Sequence, residues 1–347
     1  MTAAMKASFL LVTYKHEAFI AEAIRSAMAQ DYPQLELVVC DDGSPDRTRE
    51  ILKKELENCP PHIEVVWASQ KENRGFHENF NCGLKSCTGD VIVAMSGDDV
   101  SVPHRVSTIC REFAADPDCM LVCSDWIRID ESGKDLGIRG RKRKSQTFAY
   151  SIASDHIYAK APICGAVAAY RASLCSLFPP MEKGAHAEDN CFWVRALLAG
   201  NIHYLSEPLV FWRTHGQNQR NRIRTQDFTL VRDKHLEFLW SQQCIGRQWT
   251  RDLHHAMGTN LISREKHEQL TLTGRIHCEW YRLLRLSITG APWRLWLGSA
   301  SVLIRAGITA GSFRKSTSRI IRKNLTLRLS ARQRDAYWRS HCAGKST

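Results

Sequence analysis

The sequence predicts an α/β fold built around a parallel sheet and followed by a helical, basic C-terminal extension. Three observations carry this expectation. Short, nearly continuous apolar runs alternate with stretches of helical periodicity through the first 125 residues. Strands of that kind are buried on both faces, as in a parallel sheet flanked by helices. Two of the apolar runs end in adjacent carboxylates, Asp41-Asp42 and Asp98-Asp99, and beyond Thr225 only helical patterns remain.

Each element follows from its own pattern. Ala7–Thr13 is an apolar strand, and Glu17–Gln30 repeats Phe19, Ile20, Ala23, Ile24 and Ala27 at helical spacing. Leu35–Cys40 is a second strand, after which Ser44 or Asp46 caps a helix running through Leu56. Ile63–Trp67 is a third strand and Asn79–Ser86 begins a helix; Val91–Met95 is a strand, Pro103–Ala114 a helix and Met120–Ser124 a strand. Residues 126–160 have no clear period and are expected to form an irregular connection, with the basic run Arg139–Lys144 as a solvated loop. The chain turns apolar again from Ala161. Glu188-Asp189 then opens a helix with Phe192, Trp193, Ala196, Leu197 and Leu198 on its buried face. Ile202–Leu205 and Pro208–Arg213 read as closing strands.

Composition bounds the possibilities. At 347 residues, with 44% hydrophobic and 24% charged residues, the chain accommodates one large α/β domain and an appendage, and wholesale disorder is excluded. The 13 cysteines form no CxxC pair and no zinc-ligand spacing, which points to reduced thiols in a cytosolic setting. Met1–Leu11 fits a first strand better than a signal peptide. The net charge of +12 is concentrated at the end, where residues 280–347 hold 14 Lys/Arg against one acid, Asp335. Such a tail suits an anionic membrane surface or a nucleic acid. Pro292–Ala310 aligns Arg294 and Arg305 on one stripe opposite Trp296, Leu297, Leu303, Ile304 and Ile308, the pattern of an interfacial helix. A membrane span is disfavoured because each central Arg costs about 2.5–3.5 kcal/mol on insertion scales. Nucleic acid is not the expected partner, since the acidic pairs would repel a second polyanion.

Carboxylate pairs at strand ends repel one another unless a cation or a sugar hydroxyl partners them. In parallel sheets ligands sit at the carboxyl ends of the strands, so the two acidic loops share one rim. A divalent ion there, Mn²⁺ or Mg²⁺, takes oxygen ligands, and the pattern points to an enzyme handling a metal-bound, phosphate-rich substrate.

Several segments, in order, carry a resemblance: Phe9-Leu-Leu-Val-Thr-Tyr14-Lys-His-Glu17, Val38-Val-Cys-Asp41-Asp42-Gly43-Ser44, Asn73-Arg74-Gly75, Met95-Ser96-Gly97-Asp98-Asp99, Glu188-Asp189 and Trp212-Arg213-Thr-His215. Over roughly residues 5–220 they resemble family 2 glycosyltransferases of the bacterial surface-polysaccharide kind. The resemblance implies a Rossmann-like nucleotide-diphospho-sugar transferase (GT-A) fold, with a nucleotide half at about 5–125 and an acceptor half at about 126–220. The helical extension would occupy 225–347. It implies nucleotide-sugar contacts from Thr13, Tyr14, Glu17, Asp42, Ser44, Asn73, Arg74, Asp98 and Arg213, with Asp42 on the base ring. It implies metal ligation by Asp99, Asp98 and His215, with Asp99 favoured on the metal and Asp98 on the sugar or shared. Asp189 is implied as the general base and Glu188 as an acceptor-side residue. The family usually has Asn at the position of Lys15 and an acid at that of Ser96.

The activity this implies is inverting, metal-assisted transfer from a nucleotide sugar, UDP-linked by preference, to a glycan or lipid-linked acceptor at the cytoplasmic face of a membrane. A sugar nucleotidyltransferase is the alternative enzyme, but Thr13–Glu17 lacks the Gly-rich phosphate loop it needs. A non-enzymatic membrane- or nucleic-acid-binding protein explains the tail and leaves the acidic pairs without a purpose.

Overall fold

The computed structural model describes residues 5–140, 144–149, 165–185, 188–216, 218 and 228–268, with scattered positions up to 285. Two compact units form: Met1–Asn221 together with Arg251–His267, and Arg222–Thr250 together with Glu268–Thr347.

In the first unit a mixed sheet runs β3-β2-β1-β4-β9-β6-β10-β5. The strands are β1 (Ala7–Thr13), β2 (Leu35–Asp41), β3 (Glu64–Trp67), β4 (Val91–Ser96), β5 (Val100–Ser101), β6 (Cys119–Ile129), β7 (Asp135–Arg139), β8 (Gln146–Phe148), β9 (Ala168–Arg171) and β10 (Asn201–Arg213). The first four pair in parallel, and β6 pairs in parallel with β10. Strand β9 lies antiparallel between β4 and β6. The sheet is therefore mixed where a parallel one was expected, because β9 returns through the middle instead of adding at an edge.

Helices α1 (Ile20–Met28) and α4 (Arg105–Ala115) lie on one face. Ile20, Ala23, Ile24 and Ala27 meet Val106, Ile109 and Phe113 there over the fully buried Phe9, Leu11 and Val93. Helix α2 (Thr48–Leu56) adds Leu52 to that core, α3 (Phe76–Ser86) lies on the opposite face with Phe80 against Tyr170, and α5 (Ala172–Leu177) follows β9. Helix α6 (Glu188–Ala199) packs on the opposite face from α4. Alternation along β9 shows this: Arg171 donates to carbonyls of Phe113 and Asp116 at α4, while Tyr170 stacks on Phe80 and Phe192.

Residues 126–149 are not the irregular connection expected. Strand β6 continues to Ile129, turns, and returns as β7, and β8 pairs with β10. Asp130 Oδ1 accepts bonds from the backbone N–H groups of Ser132 and Lys134, and Gly133 supplies the left-handed residue at φ +85°. The Asp-x-x-Gly turn between Ile127/Ile129 and Leu136/Ile138 was the available hairpin signal. The two closing strands are one, β10, with register shifts around Pro208.

Helix α7 (Phe228–Gly258) runs through both units. Its last turns, which the sequence pattern assigned to the extension, belong to the sheet-bearing unit. Asp252 there is fully buried and receives Arg195 of α6 at 2.8 Å and 3.0 Å, and His255 Nε2 lies 2.7 Å from the Leu177 carbonyl. In the second unit Leu239, Cys244 and Ile245 are buried. Among the described residues no helix is long and apolar enough to cross a membrane. The expected interfacial helix at 292–310 lies outside the described residues, as does nearly all of the basic tail.

Candidate active site

The ends of β1 and β2 are laced together. Lys15 N donates to Ser44 Oγ at 3.0 Å, His16 N to Thr48 Oγ1 at 2.9 Å, and Arg47 N to the Glu17 carboxylate at 3.0 Å. Buried Asp41 organises the second loop, accepting Ser44 N and Oγ and the Arg49 guanidinium. Asp42, also buried, receives the N–H groups of Arg74 and Gly75 at 2.9 Å each. Burial raises its pKa while those two N–H groups pull it down. Gly43 is required between them, since its φ is +67° and a Cβ would lie 2.5 Å from the Glu72 carbonyl carbon.

The strand order explains why distant residues converge on Asp98 and Asp99. Strand β5 pairs antiparallel with β10, Val100 opposite Phe211, so the chain before β5 lies beside the chain after β10. Arg213 N thereby donates to Asp99 Oδ1 at 2.9 Å, and His215 Nε2 comes within 2.9 Å of Asp98 Oδ2. Asn218 Nδ2 donates to the same Asp98 oxygen at 3.0 Å. Phe19 stacks against His215 with 4.6 Å between ring centres. An open cleft of about 520 Å³ beside His215 is lined by Lys15, Glu17, Phe19, Asp46 and Glu131.

The two aspartates differ electrostatically. Burial is the largest influence on Asp98 and works against its ionisation, but the His215 hydrogen bond, the nearby His16 and the Ser96 hydroxyl together outweigh it and hold the pKa at about 2. Burial and the neighbouring Asp98 charge push Asp99 well above the ordinary carboxylate range, against the bond from Arg213 N. Asp98 is the anion of the pair, and its Oδ1 is buried with no hydrogen-bond partner among the described residues.

On the acceptor side, the register of β9 against β4 and β6 carries its leading turn, Gly165–Val167, to the end of β4 and alongside the later residues of β6. Arg105 Nη2 clamps that turn to β4 by donating to the carbonyls of Ala94 and Ala166. Glu188 lies against the same turn, where a Cβ on Gly165 would sit 1.6 Å from Glu188 Oε1. Asp189 is buried at the head of α6 and accepts the Asn190 N–H. Burial and the charges of Glu188 and Asp189 push the Tyr170 hydroxyl far up, which places both carboxylates around that ring.

The donor set fits a hard divalent cation. Asp98 Oδ1 is buried without a partner, while Oδ2 is held by the His215 imidazole and the Asn218 amide, and such ions bind one or two protein carboxylates and take phosphate oxygens for the rest. No cluster of three or more His, Cys, Asp or Glu ligands occurs among the described residues.

Residues 8–175 match the model of Glycosyl transferase family 2. That stretch is a glycosyltransferase family 2 domain. It is 27% identical over 219 residues to an uncharacterized glycosyltransferase of Nostoc, a stretch covering 62% of this chain and 66% of that relative. Its fold is that of Staphylococcus aureus TarS 1-349 in complex with UDP-GlcNAc, with a TM-score of 0.53, 19% identity, and coverage of 95% of this chain and 92% of that one. A mannosyltransferase of Pyrobaculum calidifontis, solved with GDP-Man and Mn²⁺, gives a TM-score of 0.50 at 16% identity, covering 94% and 88%. The fold is GT-A.

Within this family 2 domain, Lys15 adopts φ +57°, a left-handed conformation that Asn, the residue expected here from the resemblance, takes up more readily than Lys. Thr13 is buried at the rim, and Tyr14 is half-buried beside it. Asn73 and Arg74 are exposed, and Asn73 Oδ1 accepts the Gly75 N–H. Glu17 is exposed and holds the start of α2. Arg213 departs most from expectation. Instead of facing a diphosphate, it is 1% exposed and donates to the carbonyls of Asp98, Asp130 and Glu131 and to Glu22. Glu22 and Arg105 were missed, because their roles come from tertiary contacts that helical spacing does not reveal: Glu22 meets Arg213, 191 positions away, and Arg105 meets Ala166, 61 positions away.

Proposed function

We propose that this chain transfers a sugar from a nucleotide-diphosphate sugar to a hydroxyl of a glycan or lipid-linked oligosaccharide, with inversion, in surface-polysaccharide assembly. The observation that carries it is the ionised Asp98, with one oxygen unpartnered and the other on His215, beside loops built to hold a nucleoside. Asp98 and His215 are the metal-side residues in this proposal. Asp99, buried between Arg213 N and the Arg105 charge, positions them, which reverses the preference drawn from sequence. The donor spectrum is open between UDP-linked and GDP-linked sugars, and the TarS and mannosyltransferase structures make both worth assaying.

A bound Mn²⁺ or Mg²⁺ supplies positive charge to the departing diphosphate. The chain supplies the rest. Asp42, with its backbone cradle, orients the base; the laced β1 and β2 loops hold the nucleoside; Asp189 accepts the proton of the attacking hydroxyl, with Glu188 beside it. The acceptor oxygen attacks the anomeric carbon from the face opposite the diphosphate, so that one C–O bond forms as the other breaks, the diphosphate leaves with the bonding pair and the configuration inverts. The basic tail adds attachment to an anionic cytoplasmic membrane surface, a proposal resting on its charge of +13. The test is nucleotide release from a panel of UDP- and GDP-sugars with and without Mn²⁺. Release that requires metal and disappears in Asp98→Ala supports the reading; metal-independent release, or none from any donor, refutes it.

A further inference from the structure

Two tryptophans stand on adjacent strands beyond the end of α6. Trp126 of β6 and Trp212 of β10 meet edge to face, with ring centres 5.9 Å apart, and both remain partly exposed. Arg128 of β6, directly opposite Trp212 in the register, lays its guanidinium over the Trp212 ring at 4.8 Å. Its Nε is buried with no hydrogen-bond partner among the described residues, and no carboxylate there pairs with the group. Strand alternation sets the direction. Arg213 points to α1, stacking on Phe19, so Trp212 points to the α6 face, where Glu188 and Asp189 lie.

The register also sets the distance. Cys123 pairs with Ala168, so the Gly165–Val167 turn, against which Glu188 lies, runs beside residues 124–126. The aromatic pair therefore flanks the acceptor carboxylates. The base-ring loop follows β2, four strands from β6, or about 19 Å at ordinary ladder spacing. That separation excludes the nucleobase as the occupant.

We propose that Trp126, Trp212 and Arg128 form an acceptor subsite that stacks a pyranose ring of the acceptor glycan, with Arg128 donating hydrogen bonds to its hydroxyls. The inference rests on the transferase reading above and specifies its acceptor side. A flat indole receives the C–H face of a sugar with little loss of rotamer freedom, and a guanidinium stacked on one ring keeps its edge N–H groups free for oxygen acceptors. Backbone pairing of β6 with β10 holds both indoles on rigid elements.

The full chain is tested for capture by an immobilised panel of hexose-, N-acetylhexosamine- and uronic-acid-terminated oligosaccharides. The expected result is binding of at least one member, weakened tenfold or more by Trp126→Leu and by Trp212→Leu and retained by Trp212→Phe, which keeps an aromatic face. Trp67→Leu, on the exposed edge strand β3, leaves capture unchanged. Circular dichroism of each variant identifies any that fails to fold, and the remaining tryptophan variant then decides. Capture of no member, or capture unaffected by the folded tryptophan variants, overturns the subsite. Nucleotide-sugar hydrolysis by the wild-type chain is measured alongside. Hydrolysis without capture refutes the subsite alone, whereas capture without hydrolysis refutes the donor reading and leaves the subsite supported.

Discussion

His215 Nε2 lies 2.9 Å from Asp98 Oδ2, although 117 positions separate the two residues in sequence. The contact exists because β5 and β10 pair antiparallel, and it selects Asp98 over Asp99 as the charged member of the pair.

Asp98→Asn is expected to lower nucleotide release by about a hundredfold or more and His215→Ala to raise the half-saturating Mn²⁺ concentration by roughly 10–100-fold. Asp99→Asn should be far milder, because an amide oxygen still accepts the Arg213 N–H and the native carboxyl is already pushed toward its neutral form. A Mn²⁺ titration of the three variants separates them. Equal losses in Asp98→Asn and Asp99→Asn would contradict the assignment.

Asp189→Asn removes the proposed base while preserving the length of the side chain at the head of α6. Transfer to acceptor is expected to fall by about 10²–10⁴-fold with the donor KM little changed. Steady-state kinetics with donor and acceptor varied separately provide the check; a loss confined to donor KM would place Asp189 elsewhere in the mechanism.

The Arg195–Asp252 pair is fully buried and bidentate, and it joins the base-bearing helix to the end of α7. Asp252→Ala leaves the guanidinium buried without its anion and should cost roughly 3–5 kcal/mol in urea unfolding. Replacing both residues with Met and Leu should recover most of that loss. A double variant as unstable as the single would show that the helix contact itself, and not the stranded charge, sets the penalty.

Glu36, at the start of β2 and one strand in from the sheet edge, has no exposure and accepts bonds from the Ser8 hydroxyl, from Thr88 N and Oγ1 and from Lys6. Burial raises its pKa, but these donors outweigh burial and bring it down to about 2, below its ordinary value of 4.5. A carboxylate with a depressed native pKa stabilises the fold above its unfolded pKa and loses that contribution as pH falls through the native one. Stability should therefore decline between about pH 4.5 and pH 2. In Glu36→Gln this part of the decline should be absent and stability at neutral pH lower by about 2 kcal/mol. Denaturant midpoints across that pH range test both statements.

Much of this protein is settled by local sequence. The apolar runs of β1, β2 and β4, the helical stripe of α1 and the acidic pairs closing β2 and β4 all express short-range periodicity and the burial it demands. Those patterns place the two acidic loops on one rim without knowledge of any long-range contact. Tertiary structure alone decided what each residue at the rim does. The return of β9 through the middle of the sheet brings Glu188 beside the end of β4. The pairing of β5 with β10 commits Arg213 to backbone carbonyls and divides Asp98 from Asp99 in charge. Ionisation and free hydrogen-bonding capacity depend on burial and on partners far away in the chain, so the roles of the two aspartates became distinct only when the strand order was known.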